Sequence, residues 1–214
     1  MIKAPPAFVR NHPSQTQIKP PDDAAEYLQR EMEAQTGKRL DESSILDVGC
    51  GTRFAIAIHN KKLDVGNYTG IDIDAPMVAW LQKNLPEMTF VHWPVHNPTY
   101  NPNGVPLQDQ GSFPVVGKYD VICFFSVFTH LNEADARAML GLAMKSLAEE
   151  GRLFLTVFVD EAEGYREGVP ERPSLVSKFG QTLFEEIVED AGFVIVGFQG
   201  ARQLMAPQYA LKRR

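Results

Sequence analysis

Two carboxylates and two glycines carry the most legible chemistry in this chain. Asp47 lies near the end of the apolar run SILDV (44–48), and Gly49 and Gly51 follow at once. Glycine tolerates left-handed backbone, so this pair lets the chain bend tightly and approach a ligand closely. Asp72 ends the next apolar segment, roughly 20 residues after Gly51, an interval at which an acid can accept both hydroxyls of a ribose. The dinucleotide fingerprint needs a third glycine where this chain has Phe54. A pyrophosphate is favoured by Arg53 but disfavoured by Asp47, whereas a ligand bearing an ammonium group is favoured by Asp47. The combination points to an adenosine with a positively charged tail.

The elements that must hold these residues alternate along the chain. Residues 1–21, rich in proline and polar groups, read as an extended arm. Pro20-Pro21-Asp22-Asp23 opens a helix carrying Ala24, Tyr27, Leu28 and Met32 at helical spacing, and Thr36-Gly37 ends it. Apolar runs predict strands at 44–48, 67–74, 88–93, 118–125 and 152–159. Between them fall a helix over 54–60 and one capped by Asp74 with Met77, Trp80, Leu81 and Leu85 on one face. A third helix is capped by Asn132 with Asp135, carries Ala136, Met139, Leu140, Ala143 and Leu147, and stops at Glu150-Gly151. A last helix carries Leu183, Phe184, Ile187, Val188 and Ala191. Residues 193–200 and 207–214 read as an antiparallel terminal pair, and 94–118 and 160–173 as loops. Such alternation predicts an α/β fold, a doubly wound and mostly parallel sheet with ligands at the carboxyl ends of its strands. Residues 1–40 are expected to form an arm and helix that act as a lid on a domain spanning 41–214.

ILDVGCGT (45–52), GIDID (70–74) and YDVICFFSVFTHL (119–131) followed by a helix and RLFLTVFV (152–159) resemble the class I S-adenosylmethionine (SAM)-dependent methyltransferases. HWPVHNPTYNPNG (92–104) is similar to a stretch found in a subgroup of them. The resemblance covers most of residues 40–200. It implies a Rossmann-like, seven-stranded sheet with six parallel strands and one antiparallel. It also implies SAM as cofactor, with Asp47, Gly49 and Gly51 along its methionine part and Cys50 in the same loop. Asp72 would take the ribose hydroxyls, Ile73 would pack on the adenine, and Phe125 and Ser126 would close the site. Two departures from the family pattern stand out. A further glycine is missing: either Arg53 replaces it, where it would crowd the methionine tail or pair with its carboxylate, or the loop is one residue shorter. After the third strand, Trp93-Pro94-Val95 replaces an acid that binds the adenine amino group, so the Val95 backbone or the Asn97 side chain would serve and Trp93 would cover the ring.

Methyl transfer from a sulfonium is an in-line displacement that asks the protein to align two groups and exclude water. A base is needed only where the acceptor carries a proton. His130, just past the fourth strand, is the catalytic candidate. His92 and His96 flank the third strand's end, His12 and Tyr100 lie in segments able to fold over the site, and Asp160 and Glu161 follow the fifth strand. His59, beside two lysines, reads as surface. No histidine or cysteine pair has metal-site spacing, so no metal is expected.

The bulk composition narrows the partners. The 214 residues carry 21 Lys plus Arg against 27 Asp plus Glu, a net charge of −6. That argues against a nucleic-acid or anionic-membrane surface. Lys212-Arg213-Arg214 reads as a solvated end. The two cysteines, Cys50 and Cys123, read as buried free thiols, and no apolar run approaches the length of a membrane span. A soluble, cytoplasmic enzyme acting on a small or medium-sized acceptor is the leading expectation, its oligomeric state open. The alternatives are a catalytically silent SAM-fold subunit that binds a partner and a Rossmann-type oxidoreductase, which Phe54 disfavours.

Overall fold

The computed structural model describes residues 1–3, 22–201 and 206–214. Its centre is a seven-stranded sheet. The strands are β1 (Ser44–Val48), β2 (Asn67–Asp72), β3 (Thr89–His92), β4 (Tyr119–Phe124), β5 (Leu147–Thr156), β9 (Phe193–Gln199) and β10 (Gln208–Arg213). Their spatial order is β3-β2-β1-β4-β5-β10-β9. The pairs among β1 to β5 are parallel, and β10 runs antiparallel to both of its neighbours. The expected terminal antiparallel pair is present, with β10 inserted between β5 and β9. The order reverses beside β1, which opens a crevice at the tips of β1 and β4.

Strand alternation sends successive side chains to opposite faces, and both faces are covered. Ile45, Val121, Cys123 and Phe154 pack toward α1 (Asp22–Thr36), α2 (Arg53–Lys61) and α3 (Ala75–Asn84), where Met32, Ala55, Met77 and Leu81 are buried. Leu46, Ile122, Phe124, Leu153 and Leu155 pack toward α4 (Glu133–Ser146) and α5 (Gln181–Asp190). Asp74 caps α3 by accepting from Met77 N–H at 3.0 Å, and Asn132 caps α4 by accepting from Asp135 N–H at 2.8 Å. Asp135 itself turns to Gln108 at 2.7 Å, and burial raises its pKa. α1 packs on the sheet with α2, so the helical half of the N-terminal 40 residues belongs to the layered domain.

No α-helix connects β3 to β4, only a single 3-10 turn at Leu107–Asp109. The segment 94–118 covers that face instead, burying Val95, Leu107 and Phe113, with Phe113 edge-on to Trp93 at 5.2 Å. Asparagines brace its first half. Asn97 and Asn101 exchange backbone hydrogen bonds at 3.0 and 2.9 Å, and Asn101 Nδ2 donates to Val95 O at 2.9 Å. Gly104 lies so close to Val95 that a Cβ there would stand 2.3 Å from its carbonyl oxygen.

Three expectations are corrected. Leu147 begins β5 instead of ending α4, and its buried side chain packs back over Gly151. Beyond β5 the chain forms a second sheet, β6 (Phe158–Asp160), β7 (Tyr165–Glu167) and β8 (Ser177–Gly180), in the order β6-β8-β7, and β7 lies within the segment 160–173 read as a loop. Arg213 is no solvated end: its guanidinium donates to the carbonyls of Met144 and Leu147 at 2.5 and 2.8 Å, closing the open end of α4. No helix among the described residues is long and apolar enough to cross a membrane.

Candidate functional site

The loop between β1 and α2 is built as its glycines require. Gly49 and Gly51 sit at φ 68° and 50°, in the left-handed region. Gly49 N–H and Cys50 N–H both donate to Ile71 O, at 2.8 and 3.1 Å, which ties the bend to the tip of β2. Gly51 N–H donates to Asp72 Oδ2 at 2.9 Å, and Asp74 N–H donates to Asp72 Oδ1 at 3.0 Å. A carboxylate offers about four lone-pair directions, so two remain for a ligand. Burial raises the pKa of Asp72, and the backbone N–H groups of Gly51, Asp74 and Ile73 oppose that rise. A Cβ on Gly51 would meet nothing within 4 Å, so the bend faces open space.

That space is a cavity of about 210 Å³. Gly49, Gly51, Asp72 and Ile73 line it from β1 and β2, and Trp93 and Val95 from β3. Phe125, Ser126 and His130 line it from beyond β4. Nine residues singled out from the sequence are thus brought together. Ile73 and Tyr100 also line a neighbouring cavity of about 380 Å³, whose wall includes His92 and Asn103. His96 lines the first cavity. His59 pairs with Glu87 at 2.5 Å, Asp160 pairs with Arg166, and Glu161 is exposed. His12 lies outside the described residues.

Three candidates are placed elsewhere. Asp47 shares the strand face of Ile45, so it points beneath α2 instead of into the cavity. It is 0% exposed and its Oδ2 accepts from the Tyr68 hydroxyl at 2.6 Å. Burial pushes its carboxyl up to about 7, the nearby Asp72 charge adds to the rise, and Tyr68 and Cys123 act against it. Cys50 is buried on the same side, and burial holds both thiols well above their ordinary range. Arg53 is exposed at the first turn of α2 and does not line the cavity.

The raised Asp47 has a measurable consequence. An acid whose folded pKa exceeds its unfolded value of 3.8 favours the fold while protonated, and that contribution is lost as pH climbs toward about 7. Asp47→Asn is expected to flatten part of the fall in Tm between those values, as read by differential scanning calorimetry. A Tm profile parallel to that of the unaltered protein would show that Asp47 titrates normally.

His130 is fixed from three directions. Its N–H donates to Val127 O at 2.8 Å, its carbonyl accepts from Asn97 Nδ2 at 3.0 Å, and its ring meets Tyr100 edge-on at 5.1 Å. The Tyr100 hydroxyl lies 3.4 Å from His130 Nε2. Asn97 also lines the first cavity, and its Oδ1 accepts from the N–H groups of Thr99 and Tyr100, so that oxygen is already engaged within the loop. Among the described residues, no three His, Cys, Asp or Glu side chains gather as a metal would require.

A family model described as a methyltransferase domain matches residues 22–197. The chain belongs to the methyltransferase-domain family. Solved structures of similar fold agree with that placement of the methyltransferase domain. Magnesium protoporphyrin IX methyltransferase from Synechocystis PCC 6803, solved with bound SAM, is 19% identical at a TM-score of 0.58, covering 100% of this chain and 87% of its own. The Burkholderia thailandensis 1,6-didemethyltoxoflavin-N1-methyltransferase, solved with 1,6-didemethyltoxoflavin and S-adenosylhomocysteine, is 15% identical at 0.64, covering 97% and 85%. The glycopeptide N-methyltransferase MtfA is 13% identical at 0.63, covering 89% and 90%. The seven-stranded α/β architecture of this methyltransferase domain is the one these structures share.

Residue types alone did not reveal Tyr68 as the partner of Asp47, nor Leu131 and Met139 as part of the cavity wall. The alternation of β1 carried the signal for Asp47, because a side chain in register with Ile45 must face α2.

Proposed function

We propose that this chain is a SAM-dependent methyltransferase that methylates a small or medium-sized acceptor. The observation that carries the proposal is the joint between two strand tips: the Gly49–Gly51 bend, anchored on Asp72, opens onto a mainly apolar cavity. Asp72 is assigned to the ribose hydroxyls, Ile73, Trp93 and Val95 to the adenine, and Gly49, Gly51, Phe125 and Ser126 to the rest of the cofactor. SAM supplies a methyl group made electrophilic by its sulfonium. The chain's own part is to hold that group in line with an acceptor and to keep bulk water out. His130 takes the acceptor's proton where it has one, and the Tyr100 hydroxyl holds the imidazole in place. The segments 94–118 and 160–173 are proposed as the cover of the acceptor. Neighbours of this fold act on compounds as different as a porphyrin and a glycopeptide, and the loops at the strand tips are where such choice is made.

The departures that motivate a silent subunit leave the cavity open, since Arg53 stands outside it. Titration calorimetry with SAM and S-adenosylhomocysteine tests the reading. Both are expected to bind with dissociation constants below about 1 mM, the upper end of ordinary enzyme affinities. No heat from either would favour the silent subunit, and tryptophan quenching by NADH but not SAM would favour an oxidoreductase.

A further inference from the structure

At the tip of β4 the chain does something its sequence does not favour. Ser126 adopts φ 58°, a left-handed conformation that is unfavourable for a residue with a Cβ. Such strain persists only where the surroundings impose it. Here two contacts do so. Ser126 N–H donates to Thr156 Oγ1 at 2.7 Å, and Ser126 O accepts from Thr129 Oγ1 at 2.9 Å. Thr156 is the last residue of β5 and is buried. It lines neither cavity, and the acceptor it offers to Ser126 lies on a different strand from the one it constrains.

The strained turn matters because of what it carries. Phe125 and Ser126 line the proposed cofactor cavity. Val127, the next residue, abuts the glycine bend so closely that its Cγ2 would lie 2.7 Å from a Cβ on Gly49. His130 N–H then hangs from Val127 O. A shift of this turn would therefore move the wall of the cavity, the bend that faces it and the proposed base together.

The geometry points to Thr156 as a positioning residue, whose hydroxyl holds the left-handed turn at Ser126 and so sets the shape of the cofactor site from outside it. The inference rests on the cofactor reading above. Thr156→Val keeps the size and branching of the side chain and removes the acceptor. It is expected to weaken S-adenosylhomocysteine binding about tenfold, the scale of a lost buried hydrogen bond. Thr156→Ser keeps the hydroxyl and is expected to bind within about twofold of the unaltered protein. Glycine adopts the left-handed turn without help, so in a Ser126→Gly background the same Thr156→Val change is expected to cost less than about threefold.

Calorimetric titration of the five proteins, with Tm measured on each, reads the cycle and the serine control. If the unaltered protein does not bind, the cofactor reading fails. If it binds and Thr156→Val binds equally well, the inference alone fails. An equal loss in both backgrounds also overturns it, because the hydroxyl would then act by some route other than the turn. Should Thr156→Val not fold, Thr156→Ala replaces it in both backgrounds. Failure of that variant to fold even with Ser126→Gly would assign Thr156 to stability and overturn its positioning role.

Discussion

Asp72→Ala is expected to weaken S-adenosylhomocysteine binding by about 1–3 kcal/mol, roughly 5- to 150-fold. The reason is the double use of one carboxylate. Its two oxygens already accept Gly51 N–H and Asp74 N–H, and the remaining lone pairs are assigned to two ribose hydroxyls. Alanine removes the hydroxyl acceptor and also frees the glycine bend. Asp72→Asn separates the two effects, since it keeps one acceptor oxygen and the side-chain shape while losing the charge. Its affinity should fall between those of the unaltered protein and the alanine variant. Because burial raises the Asp72 pKa, affinity should also decline as pH is lowered through that raised value, where the carboxylate becomes a poorer acceptor. Equal affinity in a folded Asp72→Ala protein would remove the ribose assignment.

The second large effect is expected at Gly104. An added Cβ would stand 2.3 Å from both the carbonyl carbon and oxygen of Val95 and 2.5 Å from His96 N. All three are backbone atoms, so no rotamer change relieves the clash. Overpacking of this kind costs about 1–3 kcal/mol, and for a chain of this size each kcal/mol lowers Tm by about 2–4 °C. Gly104→Ala should therefore lower Tm measurably. It should also lower cofactor affinity, because Val95 lines the cavity and the same loop places Tyr100 against His130. A variant as stable as the unaltered protein would mean that 94–105 yields easily and does not act as a wall.

Much of this was written in local patterns. Buried parallel strands read as short apolar runs, and the caps at Asp74 and Asn132 are local chemistry, so the layered sheet and its strand tips were legible. The misses share a physical cause. Leu147 is buried whether it ends a helix or begins a strand, so its periodicity cannot decide between them. β7 and β8 are three or four residues long and carry polar groups, with no alternation to read. Arg213 and Thr156 act across 66 and 30 residues of chain, on partners that only the fold brings near. At the site, the glycines and Asp72 announced themselves because bends and strand ends have local signatures. Asp47 was legible as an acid, and the alternation of β1 set its face, but its partner Tyr68 was not legible because it sits on another strand.

The connection between β3 and β4 has one last implication. Asn97 and Asn101 brace its first turn on nearby backbone, while longer bonds tie it to the rest of the fold, from Asn97 to His130 O, from Thr99 to Pro173 O and from Gln108 to Asp135. A change at one of these anchors would therefore be felt at two places at once, in the wall of the cavity that Val95 lines and at the His130 ring that Tyr100 contacts.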